Sequence, residues 1–149
     1  MDEAFENVIR SAIMAEKESH DFYVKLARIS KTPSTKALFE RLAKEELKHK
    51  KLLENIESSQ DINIETEQYN DLDIVEDLLL TPLSEFGALK TAFEMTIRKE
   101  ENSYEGYHKM AYLLPSGKLK ELFEMLAGEE LKHKDLISAE YYKAFGKKR

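Results

Sequence analysis

The sequence contains no cysteine. This absence excludes disulfides, thiolate zinc sites, iron–sulfur clusters and thiol nucleophiles from the chain. Glycine and proline are scarce as well, with 5 and 3 residues among 149. Because both residues interrupt helices, their scarcity and the abundance of Leu, Glu, Lys and Ala predict a mainly helical protein.

Long apolar runs and basic clusters are also missing. No apolar run approaches the roughly 20 residues that a membrane helix needs, so we expect no membrane contact. The start Met1-Asp2-Glu3 lacks a basic stretch followed by an apolar one, which predicts no secretory signal and a cytoplasmic location. The net charge of −6 argues against nucleic-acid binding, and the basic residues in the stretch 146–149 are too few to change that.

The sequence repeats itself at a spacing of 84 residues, the distance along the chain from Glu16 to Glu100. Close to half of the positions in residues 12–53 are identical to their partners in residues 96–137, with no gap. The longest shared run is Glu-Glu-Leu-Lys-His-Lys, at residues 45–50 and again at 129–134. Chance does not produce such agreement, so the chain is predicted to use one structural unit twice.

Apolar residues recur at three- and four-residue spacing in both units, which predicts two helices in each, with Leu38 and Leu122 among the residues facing inward. In unit one, residues 3–57, we expect helices over about 3–29 and 35–56, with Ser34 as the N-cap of the second. In unit two, residues 84–144, we expect Ser84 to cap a helix that ends near Leu114, and a last helix over about 118–144. Short turns make the two helices of each unit antiparallel neighbours.

Residues 58–83 form a connection that is too long for a tight turn, and within it residues 72–80 are apolar enough for a short helix. Residues 145–149 form a tail. The whole chain, residues 1–149, is therefore predicted to be one all-α domain. It resembles a ferritin-like antiparallel four-helix bundle, with one long crossover between its second and third helices.

Charged residues interrupt the apolar stripe of every predicted long helix near its middle. Two stripes contain a single glutamate, and two contain the motif Glu-x-x-His. The residues concerned are Glu16, Glu46, His49, Glu100, Glu130 and His133. Burying an unpaired carboxylate costs several kcal/mol, and we expect no Lys or Arg on these stripes to offset that cost.

Two divalent cations would balance four carboxylates and leave both histidines neutral. The motif Glu-x-x-His places an oxygen and a nitrogen on one helix face, about one turn apart. Mixed carboxylate and imidazole ligation favours iron, with manganese or zinc as substitutes. A single copy of the motif is typical of a solvated helix whose Glu pairs with a Lys four residues on. Two matched copies and two further matched glutamates favour a dimetal site instead.

This constellation resembles the rubrerythrin-like branch of the ferritin-like superfamily. The matching residues are Glu16 with Tyr23, residues 46–49, Glu100 with Tyr107, and residues 130–133. The resemblance covers nearly the whole chain. It implies two iron ions bridged by Glu46 and Glu130. Glu16 and Glu100 would be terminal ligands, and His49 and His133 would complete one metal each.

The resemblance also implies roles for neighbouring residues. Tyr23 and Tyr107 would hydrogen-bond the bridging carboxylates, with plain core packing as the alternative. Glu45 and Glu129 would each orient the opposite histidine, with simple surface charge as the alternative. His20 lies one turn after Glu16, and we expect a partly exposed polar residue there, with an extra metal ligand or a proton donor as the alternatives.

Two features depart from the typical rubrerythrin pattern. The chain has no cysteine-ligated rubredoxin domain, and Ser103 stands where the family has an additional carboxylate. The resemblance still implies an oxidoreductase that reduces hydrogen peroxide, defends against oxidative stress, and takes electrons from an external donor such as a rubredoxin-like protein. It also implies a homodimer. The alternatives are a ferroxidase or iron-storage protein that oxidises ferrous iron with oxygen, and a metal-binding bundle without catalytic activity.

Overall fold

The computed structural model describes residues 3–58, 71–79 and 89–146. These three stretches form five helices and no strand, which confirms the predicted all-α class. The helices are α1 (Glu3–Ile29), α2 (Pro33–Ser58), α3 (Asp71–Leu79), α4 (Leu89–Leu113) and α5 (Lys118–Phe145). None of these helices is long and apolar enough to cross a membrane.

The helices pack in pairs, as expected for a ferritin-like helical bundle. The most extensive contacts join α1 to α2 and α4 to α5, and each of these pairs is connected by a short turn. The short helix predicted near residues 72–80 is present as α3, and it packs against both α1 and α4. Ser84, most of the predicted crossover and residues 147–149 lie outside the described residues.

Helix α2 begins two residues before its predicted start. The backbone N–H of Thr35 donates to the hydroxyl Oγ1 of Thr32 at 3.3 Å, so Thr32 is the N-cap and the prediction of Ser34 was wrong. Pro33 follows as the first helical residue, where its missing N–H costs nothing. The Ser34 hydroxyl instead donates to Glu140 of α5 at 3.1 Å.

Buried apolar side chains form two clusters, one toward each end of the bundle. One cluster joins the N-terminal half of α1 to the C-terminal half of α2, and the other joins the opposite halves of the same helices. The first cluster also contains the C-terminal half of α4 and the N-terminal half of α5, and the second contains the opposite halves of these two helices. Along each of these four helices, the buried glutamates and histidines lie between the two clusters. The fold therefore encloses a polar layer with apolar packing on both sides.

The core faces of α2 and α5 are rotated slightly from the predicted ones. Phe39 and Phe123 are fully buried, whereas Leu38 and Leu122, which were predicted to face inward, are only partly buried. A helix of 3.6 residues per turn allows either neighbour to face the core, and burying the larger ring removes more apolar surface from water. The two phenylalanines are partners in the repeat, so the same adjustment occurs in both units.

Helix α3 lies very close to α4 at Gly106. A Cβ atom added to Gly106 would come within 3.0 Å of the Leu78 side chain. The fully buried Leu78 therefore occupies space that any larger residue at position 106 would need. This glycine explains how a short crossover helix can pack directly on the bundle.

Candidate metal centre

The polar layer consists of glutamate and histidine side chains that are almost completely removed from solvent. Each is at most 2 % exposed, and α1, α2, α4 and α5 all contribute. The residues are Glu16 from α1, Glu46 and His49 from α2, Glu100 from α4, and Glu130 and His133 from α5. The structure thus brings together all six residues that the interrupted stripes had singled out.

These six residues divide into two overlapping groups of four. One group is Glu16, Glu46, His49 and Glu130, and the other is Glu46, Glu100, Glu130 and His133. Within each group, one ligand atom per residue lies within 4.8 Å of every other. Glu46 and Glu130 belong to both groups, so each group combines two shared carboxylates with one further glutamate and one histidine.

The inward-facing atoms of this layer have no hydrogen-bond partners among the described residues. Every one of the six residues has such an atom, including Nδ1 of both histidines and both carboxylate oxygens of Glu46. The separation of His49 Nδ1 from Glu130 Oε1 is 3.1 Å, and that of His133 Nδ1 from Glu46 Oε1 is 2.7 Å, but neither contact has hydrogen-bond geometry. Unpaired buried polar atoms are costly, and cations held by the two groups would satisfy them, so these residues fit a metal centre.

The outer nitrogen of each histidine contacts a glutamate on the facing helix. His49 Nε2 lies 2.8 Å from Glu129 Oε2, and His133 Nε2 lies 3.2 Å from Glu45 Oε1. If Nε2 carries the ring proton in each case, Nδ1 is left free as a metal donor. The crossed pattern is the one that the resemblance implied for Glu45 and Glu129.

The tyrosines connect the two halves of the chain across the centre. Tyr107 of α4 donates to Glu16 Oε1 of α1 at 2.6 Å, and Tyr23 of α1 donates to Glu100 Oε1 of α4. The expectation that they bond Glu46 and Glu130 was wrong. Each tyrosine lies about two turns from the glutamate of its own helix, and from there its hydroxyl reaches the unshared glutamate of the opposite unit.

Crowding perturbs the acidity of the buried carboxyl groups. Burial raises the pKa of Glu46 well above its usual range, and the charges of Glu130 and Glu16 raise it further. Burial and Glu130 do the same to the pKa of Glu100. Burial also acts to raise the pKa of Glu16, but its close contacts with Glu46 and His49 and the hydrogen bond from Tyr107 outweigh burial and lower the pKa. The layer therefore retains protons that an incoming cation would displace.

His49 is strongly basic in this environment. Burial lowers the pKa of its ring, but contacts with Glu130 and Glu16 outweigh burial and raise the pKa to about 12. In the absence of a cation, a protonated His49 would partly neutralise the surrounding carboxylates. A metal ion at the same position would replace that positive charge.

Lys99 is a buried cation that the sequence reasoning missed. It is 1 % exposed, and its Nζ donates to the backbone carbonyl of Leu78 in α3 at 2.7 Å. Burial lowers its pKa. The repeat contains a signal that could have revealed it, because the partner of Lys99 in unit one is Ala15, a buried residue on the apolar face. Lys99 anchors the crossover helix beside the polar layer.

Two other residues of interest have different surroundings. His20 is not a member of either group of potential ligands. Its Nδ1 contacts Oδ1 of Asp21 at 3.1 Å, and the His20 side chain is 28 % exposed. It is therefore the partly exposed polar residue that we expected. Ser103 is buried on α4, one turn after Glu100 and one turn before Tyr107.

A surface groove beside α2 reaches His49. The groove has a volume of about 630 Å³, and Glu129 of α5 forms part of its wall. Its charged lining residues are Glu40, Arg41, Lys44, Glu45, Lys48 and Glu129, in addition to His49. Three acidic and three basic groups therefore surround the approach to the histidine.

Comparison with known proteins agrees with this architecture. The family model described as Rubrerythrin matches residues 7–141. No curated protein matches the chain. A solved structure of a hypothetical protein from Pyrococcus furiosus is similar in fold, with a TM-score of 0.73 and 24% sequence identity over 97% of this chain and 92% of that one. The family model spans nearly the entire chain, and the buried Glu/His layer of the chain is compatible with a di-iron site. The protein therefore belongs to the rubrerythrin family.

Proposed function

We propose that this protein is a di-iron oxidoreductase that reduces hydrogen peroxide with electrons from a separate redox protein. One observation carries the proposal: two groups of buried ligand atoms share Glu46 and Glu130, and their inward-facing atoms have no other partner among the described residues. In this proposal, Glu46 and Glu130, which belong to both groups, would supply ligands to both iron ions. Glu16 and His49 complete one iron position, and Glu100 and His133 complete the other.

The charges of the layer support two divalent ions. Four carboxylates carry a charge of about −4 when ionised, which two divalent ions neutralise without requiring protonated histidines. The mixture of imidazole and carboxylate favours iron over magnesium or calcium, which prefer oxygen ligands alone. Manganese and zinc are accepted by similar ligands and are the expected substitutes.

A bound pair of ferrous ions would supply the two electrons that convert one peroxide molecule and two protons into two molecules of water. The protein's own residues bind the ions and orient the donors. Glu45 and Glu129 hold the rings of His133 and His49 through their outer nitrogens. Burial and nearby carboxylates raise the pKa of Tyr23 and Tyr107 well above the usual value, so both phenols keep their protons and remain hydrogen-bond donors to Glu100 and Glu16.

The groove that reaches His49 favours a neutral substrate. Its three acidic and three basic side chains give no net attraction for a cation, whereas a path for incoming ferrous ions would benefit from excess negative charge. Hydrogen peroxide is small and uncharged, so this lining does not hinder its approach. Ferrous oxidation by oxygen remains the second candidate function, because Ser103 stands where the family has an additional carboxylate.

The electrons would come from outside the chain. The sequence has no cysteine and therefore no rubredoxin-type iron site of its own. A rubredoxin-like protein is the expected donor, and defence against oxidative stress is the expected role. A reduced donor should restore the ferrous state after each turnover.

Rapid mixing of the anaerobic ferrous protein with peroxide or with oxygen tests the proposal. With substoichiometric peroxide we expect rapid formation of the ferric charge-transfer absorption, one equivalent of peroxide oxidising two irons, and a much slower reaction with oxygen. A faster reaction with oxygen, followed by iron release or mineral growth, would support the ferroxidase instead. Bound iron that reacts with neither oxidant would indicate a non-catalytic metal-binding bundle.

A matched pair of variants connects the reaction to the buried layer. Glu46→Gln removes one of the two shared carboxylates and should abolish the fast peroxide reaction. Glu54→Gln changes a glutamate of the same helix that is 45 % exposed and pairs with Lys50, so its reaction rate should match that of the unmodified protein. Equal rates in all three proteins would show that oxidation occurs elsewhere.

A further inference from the structure

The internal repeat is broken beside the two histidines. Arg41 of α2 donates from Nε to Glu45 Oε2 at 2.8 Å, and the other oxygen of Glu45 faces His133. In unit two, the residue equivalent to Arg41 is Met125, which stands four residues before Glu129. Glu129 contacts His49, and no Lys or Arg pairs with Glu129 among the described residues.

The two histidine contacts differ in the direction that this asymmetry predicts. Glu129 lies 2.8 Å from His49, whereas Glu45, which also binds Arg41, lies 3.2 Å from His133. A carboxylate that accepts the outer ring proton of a histidine increases the basicity of the metal-binding nitrogen. Glu45 also accepts a hydrogen bond from the positive guanidinium, so it accepts the ring proton of His133 less strongly. His133 should therefore be the weaker metal ligand of the two histidines.

From this we infer that Arg41 is a positioning residue that makes the two metal positions unequal, with the position at His49 binding a divalent ion more tightly than the position at His133. The inference rests on the proposed dimetal centre and specifies which of its positions fills first. We expect the difference in affinity to be about tenfold, the lower end of the effect for residues that hold a metal-binding histidine. Arg41 is 63 % exposed, and solvent screening keeps the effect small.

The repeat supplies the variants that test this inference. Arg41→Met gives unit one the residue of unit two, Met125→Arg does the reverse, and the double variant exchanges the two positions. Arg41 is 63 % exposed and Met125 is 37 % exposed, so the helices should remain intact in all the variants. Circular dichroism can verify this. In Met125→Arg, the new side chain has the same four-residue spacing to Glu129 that Arg41 has to Glu45.

Cobalt(II) titration of protein labelled with ¹⁵N in its histidines shows which position fills first. The protein has only four histidines, so the ring signals of His49 and His133 can be assigned in the zinc-loaded protein. The change in each signal can then be followed individually as cobalt is added. In the unmodified protein, the His49 signals should shift before those of His133. In Arg41→Met and in Met125→Arg they should shift together, and in the double variant His133 should shift first.

Several outcomes would overturn the inference. Simultaneous filling in the unmodified protein, or an unchanged order in the double variant, would show that Arg41 does not distinguish the positions. Weaker binding at His133 in Arg41→Met would show that the guanidinium only holds Glu45 in place. In each of these cases two cobalt ions still bind, so the proposed centre survives. Failure of every variant and of the unmodified protein to bind cobalt would overturn the proposed centre itself.

Discussion

Tyr107 donates a hydrogen bond of 2.6 Å to Glu16, and both side chains are at most 2 % exposed. The bond connects α4 in unit two to α1 in unit one at the level of the polar layer. Tyr23 and Glu100 make the same connection in the opposite direction. These paired bonds hold the two unshared glutamates in place and join the two helical hairpins at the candidate centre.

Replacing Tyr107 with Phe tests the first of these bonds. The variant leaves a buried oxygen of Glu16 without its donor, so the free energy of unfolding of the metal-free protein should fall by about 1–3 kcal/mol. Urea denaturation measures the change. Tyr112→Phe is the matched control, because Tyr112 is 80 % exposed and its replacement should change stability by less than about 0.5 kcal/mol. Equal effects of the two substitutions would mean that the buried bond contributes nothing particular.

Glu46→Gln should stabilise the metal-free protein. Glu46 is fully buried among other carboxylates, which raises its pKa, whereas the amide of Gln is neutral at every pH and preserves the shape of the side chain. The variant avoids the free-energy cost of a buried ionisable group whose pKa is raised, so the thermal midpoint in EDTA should rise at neutral pH. The same variant should lose the stabilisation by added zinc. A lower midpoint in EDTA would indicate that Glu46 is satisfied by partners within the protein.

The stability of the metal-free protein should decrease as the pH rises. The folded-state pKa of Glu46 and of Glu100 lies above the usual value of 4.5, so their contribution is fully present below that pH and is lost as the pH rises through the folded-state pKa. His49 acts in the same direction, from its usual pKa of 6.5 toward about 12. Glu16 and Glu45 have lowered pKa values and act oppositely, but only at lower pH.

Calorimetry with EDTA or with zinc, between about pH 6 and pH 8, measures this dependence. Zinc requires deprotonated ligands, so the increase in thermal midpoint that zinc produces should grow with pH while the midpoint in EDTA falls. The Glu46→Gln protein should show a flatter dependence in EDTA. A midpoint in EDTA that rises across this range would contradict the proposed burial of these carboxyl groups.

Gly106→Ala should loosen the crossover helix. The new methyl group would lie 3.0 Å from Leu78, which must move away from α4, so backbone amides of α3 should exchange with deuterium faster. Gly128→Ala is the control, because among the described residues nothing beyond its chain neighbours and its own helix backbone lies within 4 Å of a Cβ added there. That substitution should gain up to about 1 kcal/mol from helix propensity and leave exchange in α3 unchanged. Similar exchange rates in both variants would show that Leu78 adapts at no cost.

Much of this structure follows from patterns that are visible in the sequence. Helix α1 coincides with its predicted range, and the interrupted apolar stripes identified the six residues that meet in the polar layer. Both results depend on helical periodicity, which places residues three or four positions apart on one face whatever the rest of the fold does. The repeat adds a second copy of the same pattern.

The errors occur where tertiary contacts decide between local alternatives. Thr32 and Ser34 are both good N-cap residues, and only the path of the turn selects Thr32. Lysine is ordinarily a surface residue, and the burial of Lys99 depends on the position of α3, because the backbone carbonyl of Leu78 in α3 accepts a hydrogen bond from its Nζ. The partners of Tyr23 and Tyr107 depend on how far apart the two hairpins lie, which no spacing within one helix reveals.

Anaerobic titration with ferrous iron tests the dimetal centre most directly. Iron analysis after removal of unbound metal, combined with Mössbauer spectroscopy, should show two high-spin ferrous ions per chain. The Glu46→Gln protein should lose at least one of them, whereas the Glu54→Gln protein should retain both. Binding of only trace iron by the unmodified protein, or full binding by Glu46→Gln, would contradict the assignment of the buried glutamates and histidines as a metal centre.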